Sequence, residues 1–307
     1  MKKYFTILPL VFLLFGSMGY LLGGFGVRSE ESASEITWDD SDSILYSSGF
    51  ERKAFFDAAY EKAERESGVP SVSRESREIT TAIVAHHLLV ADKIAEVFIE
   101  IGSSDIETIV LLSPNHFSGG ISSAQISKGT WQTPYGELRP DDEKVEKLLD
   151  VVSILSHEEL AFEYEHGIGV VTPFIKRSFP EADFLPIILD ESLSFEAAHA
   201  LGESIARLFP DAVVISSIDM VHRQTSEVTS ENDVIILSSI EAGGLCSGAW
   251  CDEELLIDSN ASMQTLFAVN ATRGISSWNL VHHGSSLSMG ATKNPDDNVS
   301  HILGYFW

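Results

Sequence analysis

Ten histidines in 307 residues are the first chemical signal, and five of them stand where α/β proteins tend to hold ligands. His87, His116, His166, His222 and His283 each follow or flank a predicted strand end. Any one of them also fits a helix cap or a donor to a backbone carbonyl, but five together argue for a site. His87 follows the apolar run Ile83-Val84-Ala85, and His116 follows Val110-Leu111-Leu112-Ser113-Pro114-Asn115. Adjacent parallel strands would bring these two imidazoles to one sheet edge, and neutral imidazoles suit iron, zinc or copper. A third ligand must come from far along the chain. Asp258, just before a predicted helix from Ser259, is the candidate; read from the residues alone, it fits an ordinary N-cap better.

The elements that must position these side chains alternate along the chain. A helical pattern over Ala54 to Arg65 is followed by a βαβ unit, with strands at Ile79 to Ala85 and Glu107 to Leu112 around a helix at Leu88 to Ile101. Ser123 to Arg139 reads as a hairpin, with helices near Asp141 to Val151 and His166 to Ser178. Strands at Phe184 to Leu189 and Ala212 to Ser216 then alternate with helices at Ser194 to Leu208, Glu231 to Glu241 and Ser259 to Asn270. Two late strands, Ser276 to Val281 and Val299 to Phe306, complete the pattern. The economical fold is one α/β domain over residues 44–307, a three-layer sandwich on a mixed, mostly parallel sheet.

Ahead of that domain, Lys2 and Lys3 precede an uncharged, mostly apolar stretch from Tyr4 to Val27, about the length a helix needs to cross a bilayer. With no A-x-A cleavage site after it, residues 1–27 read as an uncleaved signal anchor. Residues 28–43 form an acidic, Ser-rich linker, and the body is expected outside the cytoplasm, tethered to the membrane. Cys246 and Cys251 would form a local disulfide there in preference to binding metal. A formal charge of −26, from 46 acidic against 20 basic side chains, repels phosphate backbones and argues against a nucleic-acid partner.

Five ordered pieces of the chain resemble a known family. Ile83-Val84-Ala85-His86-His87, Ser113-Pro114-Asn115-His116, Glu165-His166-Gly167-Ile168, Ser216-Ser217-Ile218-Asp219-Met220-Val221-His222 and His283-Gly284-Ser285-Ser286 look like the motifs of Memo-like proteins, also called AmmeMemoRadiSam system protein B. The likeness runs from about Tyr46 to the carboxyl end. It implies a fold like that of class III extradiol dioxygenases, with His87 and His116 as metal ligands. Asp258 aligns with the third ligand position, where animal Memo carries what looks like a cysteine. Two histidines and a carboxylate are typical of non-haem iron(II), with copper and zinc as alternatives. The resemblance also implies Asp219 with His222 and Glu165 with His166 as catalytic pairs, with His222 as acid or base. Asp219 could instead orient a neighbouring ring, and Glu165 could simply start a helix.

Two departures stand out: His86 replaces the proline expected before the first histidine, as a spare ligand or a buried neighbour, and Ile168-Gly169-Val170-Val171 replaces a more polar stretch. A hydrolase built from Ser217, His222 and Asp219 lacks the Gly-x-Ser-x-Gly elbow that exposes such a serine. Two readings stay open: a metal-dependent redox enzyme, and a non-catalytic metal-binding or peptide-binding scaffold. A small molecule or peptide in the cleft, and the radical SAM enzyme that the family's name suggests, are the implied partners.

Overall fold

The computed structural model describes residues 43–49, 51–67, 78–102, 105–244 and 256–307. The expected disulfide between Cys246 and Cys251 and nearly all of the expected linker lie outside them. The strands are β1 (Ile44–Tyr46), β2 (Thr81–Val84), β3 (Thr108–Pro114), β4 (Ala124–Ile126), β5 (Thr130–Thr133), β6 (Gly136–Leu138), β7 (Leu155–His157), β8 (Asp183–Leu189), β9 (Val213–Ser217), β10 (His222–Gln224), β11 (Trp278–Ser285) and β12 (Asn298–Phe306). The α-helices are α1 (Lys53–Ser67), α2 (Ala91–Ile101), α3 (Asp142–Leu149), α4 (His166–Gly169), α5 (Thr172–Ser178), α6 (Phe195–Leu208), α7 (Ser226–Glu241) and α8 (Asn260–Arg273).

Among the described residues a nine-stranded sheet runs β10-β12-β2-β9-β3-β8-β4-β7, with β11 also paired to β12. Its centre is parallel: β2 pairs with β9, β9 with β3, and β3 with β8. The direction reverses where β12 meets β2 and where β4 meets β8. The central strands are nearly continuous apolar runs because both of their faces are covered. Alternation sends Ala82, Val84, Ile109, Leu111, Val213 and Ile215 to one face, against α1, α2 and α5. Ile83, Val110, Leu112 and Val214 face the other way, against α3, α6, α7 and α8. The fold is therefore the expected three-layer α/β sandwich on a mostly parallel sheet.

Local chemistry explains two departures from the sequence expectation. The helix expected over His166 to Ser178 is two short helices, because Pro173 occupies the first turn of α5, where its missing N–H breaks no bond. The expected hairpin over Ser123 to Arg139 is divided between sheets: β4 joins the large one, whereas β5 and β6 pair with each other beside β1. The turn between β4 and β5 is pinned by Glu159, whose carboxylate accepts from Ser127 Oγ at 2.6 Å and from Gly129 N at 3.0 Å.

The expectation of a membrane-anchored, exported protein is corrected. Among the described residues no helix is long and apolar enough to cross a membrane. Residues 1–27, on which that anchor was placed, lie outside the described residues.

Helix α8 follows directly on Asp258, and its seat is set by α6. Gly202 of α6 lies so close to α8 that a Cβ would press into the Thr265 carbonyl oxygen and stand 2.6 Å from Ala268 Cβ. Neither atom is the free end of a flexible side chain, so the helices must part to admit a methyl group. Gly202→Ala should lower stability by about 1–3 kcal/mol in a denaturant titration; an unchanged midpoint would contradict this account of the contact.

Candidate metal centre

Because β2, β9 and β3 are neighbours and parallel, their carboxyl ends open on one cleft. His86 follows β2, Asp219 follows β9 and His116 follows β3. Residues 219 and 222, from the turn after β9 and from β10, and Asp258, ahead of α8, complete the wall. Asp258 Oδ2 lies 3.3 Å from His86 Nε2 and 3.4 Å from His116 Nε2. His222 Nδ1 is 3.7 Å from Asp258 Oδ1, and its Nε2 is 3.6 Å from Asp219 Oδ2. His166, at the start of α4, tilts over His116 with ring centroids 3.9 Å apart and brings a third ring nitrogen within 4.8 Å of those of His86 and His116.

Hydrogen bonds on the outer side of two rings decide what faces inward. His116 Nδ1 meets Glu165 Oε1 at 2.6 Å, and the other oxygen of Glu165 accepts the His116 backbone N–H at 2.9 Å. The carboxylate also caps α4 through Gly167 N, so one buried side chain both starts a helix and orients the histidine. His86 Nδ1 lies 3.2 Å from Ser217 Oγ, and Ser217 Oγ donates to the Gly167 carbonyl at 2.6 Å. With its one proton committed to Gly167, Ser217 accepts from His86. In both neutral rings the proton therefore sits on Nδ1, which leaves Nε2 bare within 3.3 and 3.4 Å of Asp258 Oδ2.

His86 Nε2, His116 Nε2 and Asp258 Oδ2 are all buried, and none is aligned with a hydrogen-bond partner. Three electron-rich atoms facing one another in a buried place require positive charge between them. In the metal-free protein that charge comes from protons. Burial opposes protonation of His116, but the carboxylates of Asp258 and Glu165 outweigh it and push the ring up to about 10. His86 is raised as well, against its burial, by Asp219 and Asp258. Burial works to raise Asp219 and Asp258, yet the histidines win: Asp219 is held at about 2 and Asp258 far below the usual carboxylate range. Burial, joined by the charges of His116 and His86, lowers His166 to about 4.

The structure brings His116, Asp258, His166, His222, Asp219 and Glu165 together, but it sets His86 where His87 was expected. His87 turns away from the His116 group and meets His301 of β12, Nδ1 to Nε2, at 2.9 Å. Consecutive residues leaving a strand face opposite ways, so His86 and His87 join different side-chain groups. Asp258 is not a cap, because Ser259 fills that role by accepting from Ser262 N. His283 lies within β11 and bonds Asp233 at 2.8 Å instead of joining the His116 group. His301 escaped notice in the sequence; its signal was a lone histidine in the buried strand Ser300-His301-Ile302-Leu303.

Comparisons with known proteins agree with this architecture. A family model described as Memo-like protein matches residues 53–287. A MEMO1 family protein of Caldivirga maquilingensis is 30% identical over 54% of this chain and 62% of its own length. One from Methanosarcina mazei is 36% identical over 44% of this chain and 51% of its own. The chain thus spans only about two-fifths to three-fifths of the length of the relatives it matches. The crystal structure of an uncharacterized protein from Escherichia coli K12 superimposes with a TM-score of 0.50 and 12% identity, covering 73% of this chain and 99% of that one. That likeness is one of fold alone.

The titrations set a pH profile for the metal-free protein. His116, raised from 6.5 to about 10, contributes stability that is full below about pH 6.5 and lost as pH rises towards 10. Asp219, lowered from 3.8 to about 2, contributes stability that is present above about pH 4 and lost as pH falls towards 2. His166, lowered to about 4, costs stability as pH falls from about 6.5 towards 4, so after chelation the melting temperature should peak near pH 6.5 and decline on both sides. A melting temperature that climbs from neutral pH towards 10 would sink this electrostatic account.

Proposed function

This chain belongs to the Memo-like family, and from that premise we propose that it is a metal-binding protein of the AmmeMemoRadiSam system protein B type whose cleft holds iron(II) at His86, His116 and Asp258. The carrying observation is the set of three buried, unpartnered acceptor atoms at 3.3 and 3.4 Å. Ligands bonded at about 2.1 Å to one ion stand about 3.0 Å apart at right angles and about 3.4 Å apart in a tetrahedron, so the two spacings from Asp258 match those of ligands on one ion. Two imidazoles and a carboxylate favour iron(II) or zinc over copper(I), which prefers sulfur. Glu165 and Ser217 hold the rings from behind, as outer partners of metal-binding histidines commonly do.

Bound iron would supply redox and Lewis-acid chemistry; the protein's own side chains would handle protons. His222 is the acid or base in this reading, half-exposed and within 3.7 Å of both Asp258 and Asp219. Asp219 steadies the charged form of His222, and His166 lines the approach to His116. A cleft of about 250 Å³ lined by Met220, His222, Leu256, Ile257, Asp258 and Asn260 offers room for a small-molecule substrate beside these groups. The competing reading, a metal-holding or peptide-binding scaffold, leaves His222 beside the cleft without a task. A radical SAM enzyme as partner belongs to the same proposal through the family's name.

Metal analysis of anaerobically purified protein tests this reading. His86→Ala and His116→Ala should each lose one equivalent of iron relative to the unaltered chain, and Glu165→Gln should weaken binding roughly 10–100-fold. His222→Ala should keep its iron and lose turnover. Full iron content in His116→Ala, with folding intact, would refute the assignment.

A further inference from the structure

We propose that the same cleft binds a second divalent ion, held by His87, His301 and Asp219. The inference rests on the metal-binding reading of the cleft but concerns different ligands. His87 leaves the end of β2, His301 lies in β12 on one side of β2, and Asp219 follows β9 on the other. Each offers a ligand atom within 4.8 Å of those of the other two, in a group separate from that of His86, His116 and His166.

Local hydrogen bonding leaves this group incomplete. His87 Nδ1 and His301 Nε2 are 2.9 Å apart, close to the roughly 3.0 Å expected of two neighbouring nitrogens on one ion. The other nitrogen of His301 is buried without a partner, although the ring is almost wholly enclosed. Asp219, only 5% exposed, accepts one long hydrogen bond, from His86 N at 3.3 Å. Its other oxygen stands 3.6 Å from both His86 Nε2 and His222 Nε2, beyond hydrogen-bond reach. A buried carboxylate so sparsely served needs a cation nearby.

Charge points the same way. The side chains of Asp219, Asp258 and Glu165 are all largely covered at the cleft, and their ion-pair partners among the described residues are histidines, with no Lys or Arg. Once His86 and His116 give up their protons to bind one divalent ion, three carboxylates face two positive charges. A second divalent ion removes that excess, and imidazole with carboxylate is a donor set that first-row metals accept.

Equilibrium dialysis of the full chain against zinc(II) or cobalt(II), with metal counted per chain, tests the proposal. The unaltered protein should take up two equivalents, and His301→Gln and His87→Gln should each retain one. Circular dichroism controls for folding; because His301 is buried, the half-exposed His87 position decides if His301→Gln fails to fold. One equivalent in the unaltered protein overturns the second ion and leaves the first centre standing. No uptake overturns both. Two equivalents that persist in a folded His87→Gln also overturn the proposal, since they place the second ion elsewhere.

Discussion

Three buried acceptor atoms drawn close together, His86 Nε2, His116 Nε2 and Asp258 Oδ2, govern how this cleft is built. Each unsatisfied buried polar atom costs about 1–3 kcal/mol, so the arrangement persists only if something else holds it and something positive answers it. The holding is done from outside the cleft. Glu165 grips His116 at both ring and backbone, and Ser217 accepts from His86 Nδ1 while donating its own hydroxyl to the Gly167 carbonyl. Both supports reach α4, so a helix of one turn links the ends of β3 and β9 to the orientation of the two rings.

The larger fold supplies the convergence. Parallel pairing of β2, β9 and β3 places three carboxyl ends side by side, and apolar burial on both faces removes any freedom of register. Asp258 arrives from the other direction, on the segment entering α8, so the close seating of α8 on α6 at Gly202 bears on the site as well as on the core. Fold and site are thus coupled through one helix pair. The fold itself does not select a reaction, and the functional argument has to rest on side chains.

Much of the framework was legible because its signals are local. The apolar runs of the central strands and the alternation with helical patterns point to a layered α/β sandwich, and the ordered histidine motifs point to one cleft. What escaped is non-local or depends on a single step of register. His86 and His87 are chemically identical in sequence, and only the direction in which the chain leaves β2 tells inner from outer. His301 lies far along the chain in β12 and joins the cleft through antiparallel pairing with β2. Asp258 fits a helix cap by its residues alone and a ligand by the family resemblance, and Ser259 fills the cap in the structure. The short strands β1, β7 and β10, each of three residues, carry too little periodicity to announce themselves.

The central claim is that the inner ring at the end of β2 is the metal-facing one. Anomalous diffraction at the iron edge, from crystals of the iron-loaded protein grown without oxygen, addresses it most directly. The account requires a peak within about 2.0–2.2 Å of His86 Nε2, His116 Nε2 and an Asp258 oxygen, with Glu165 still on His116 Nδ1. A peak bonded to His87 and His116 with His86 turned away, or no peak between His116 and Asp258, would contradict it.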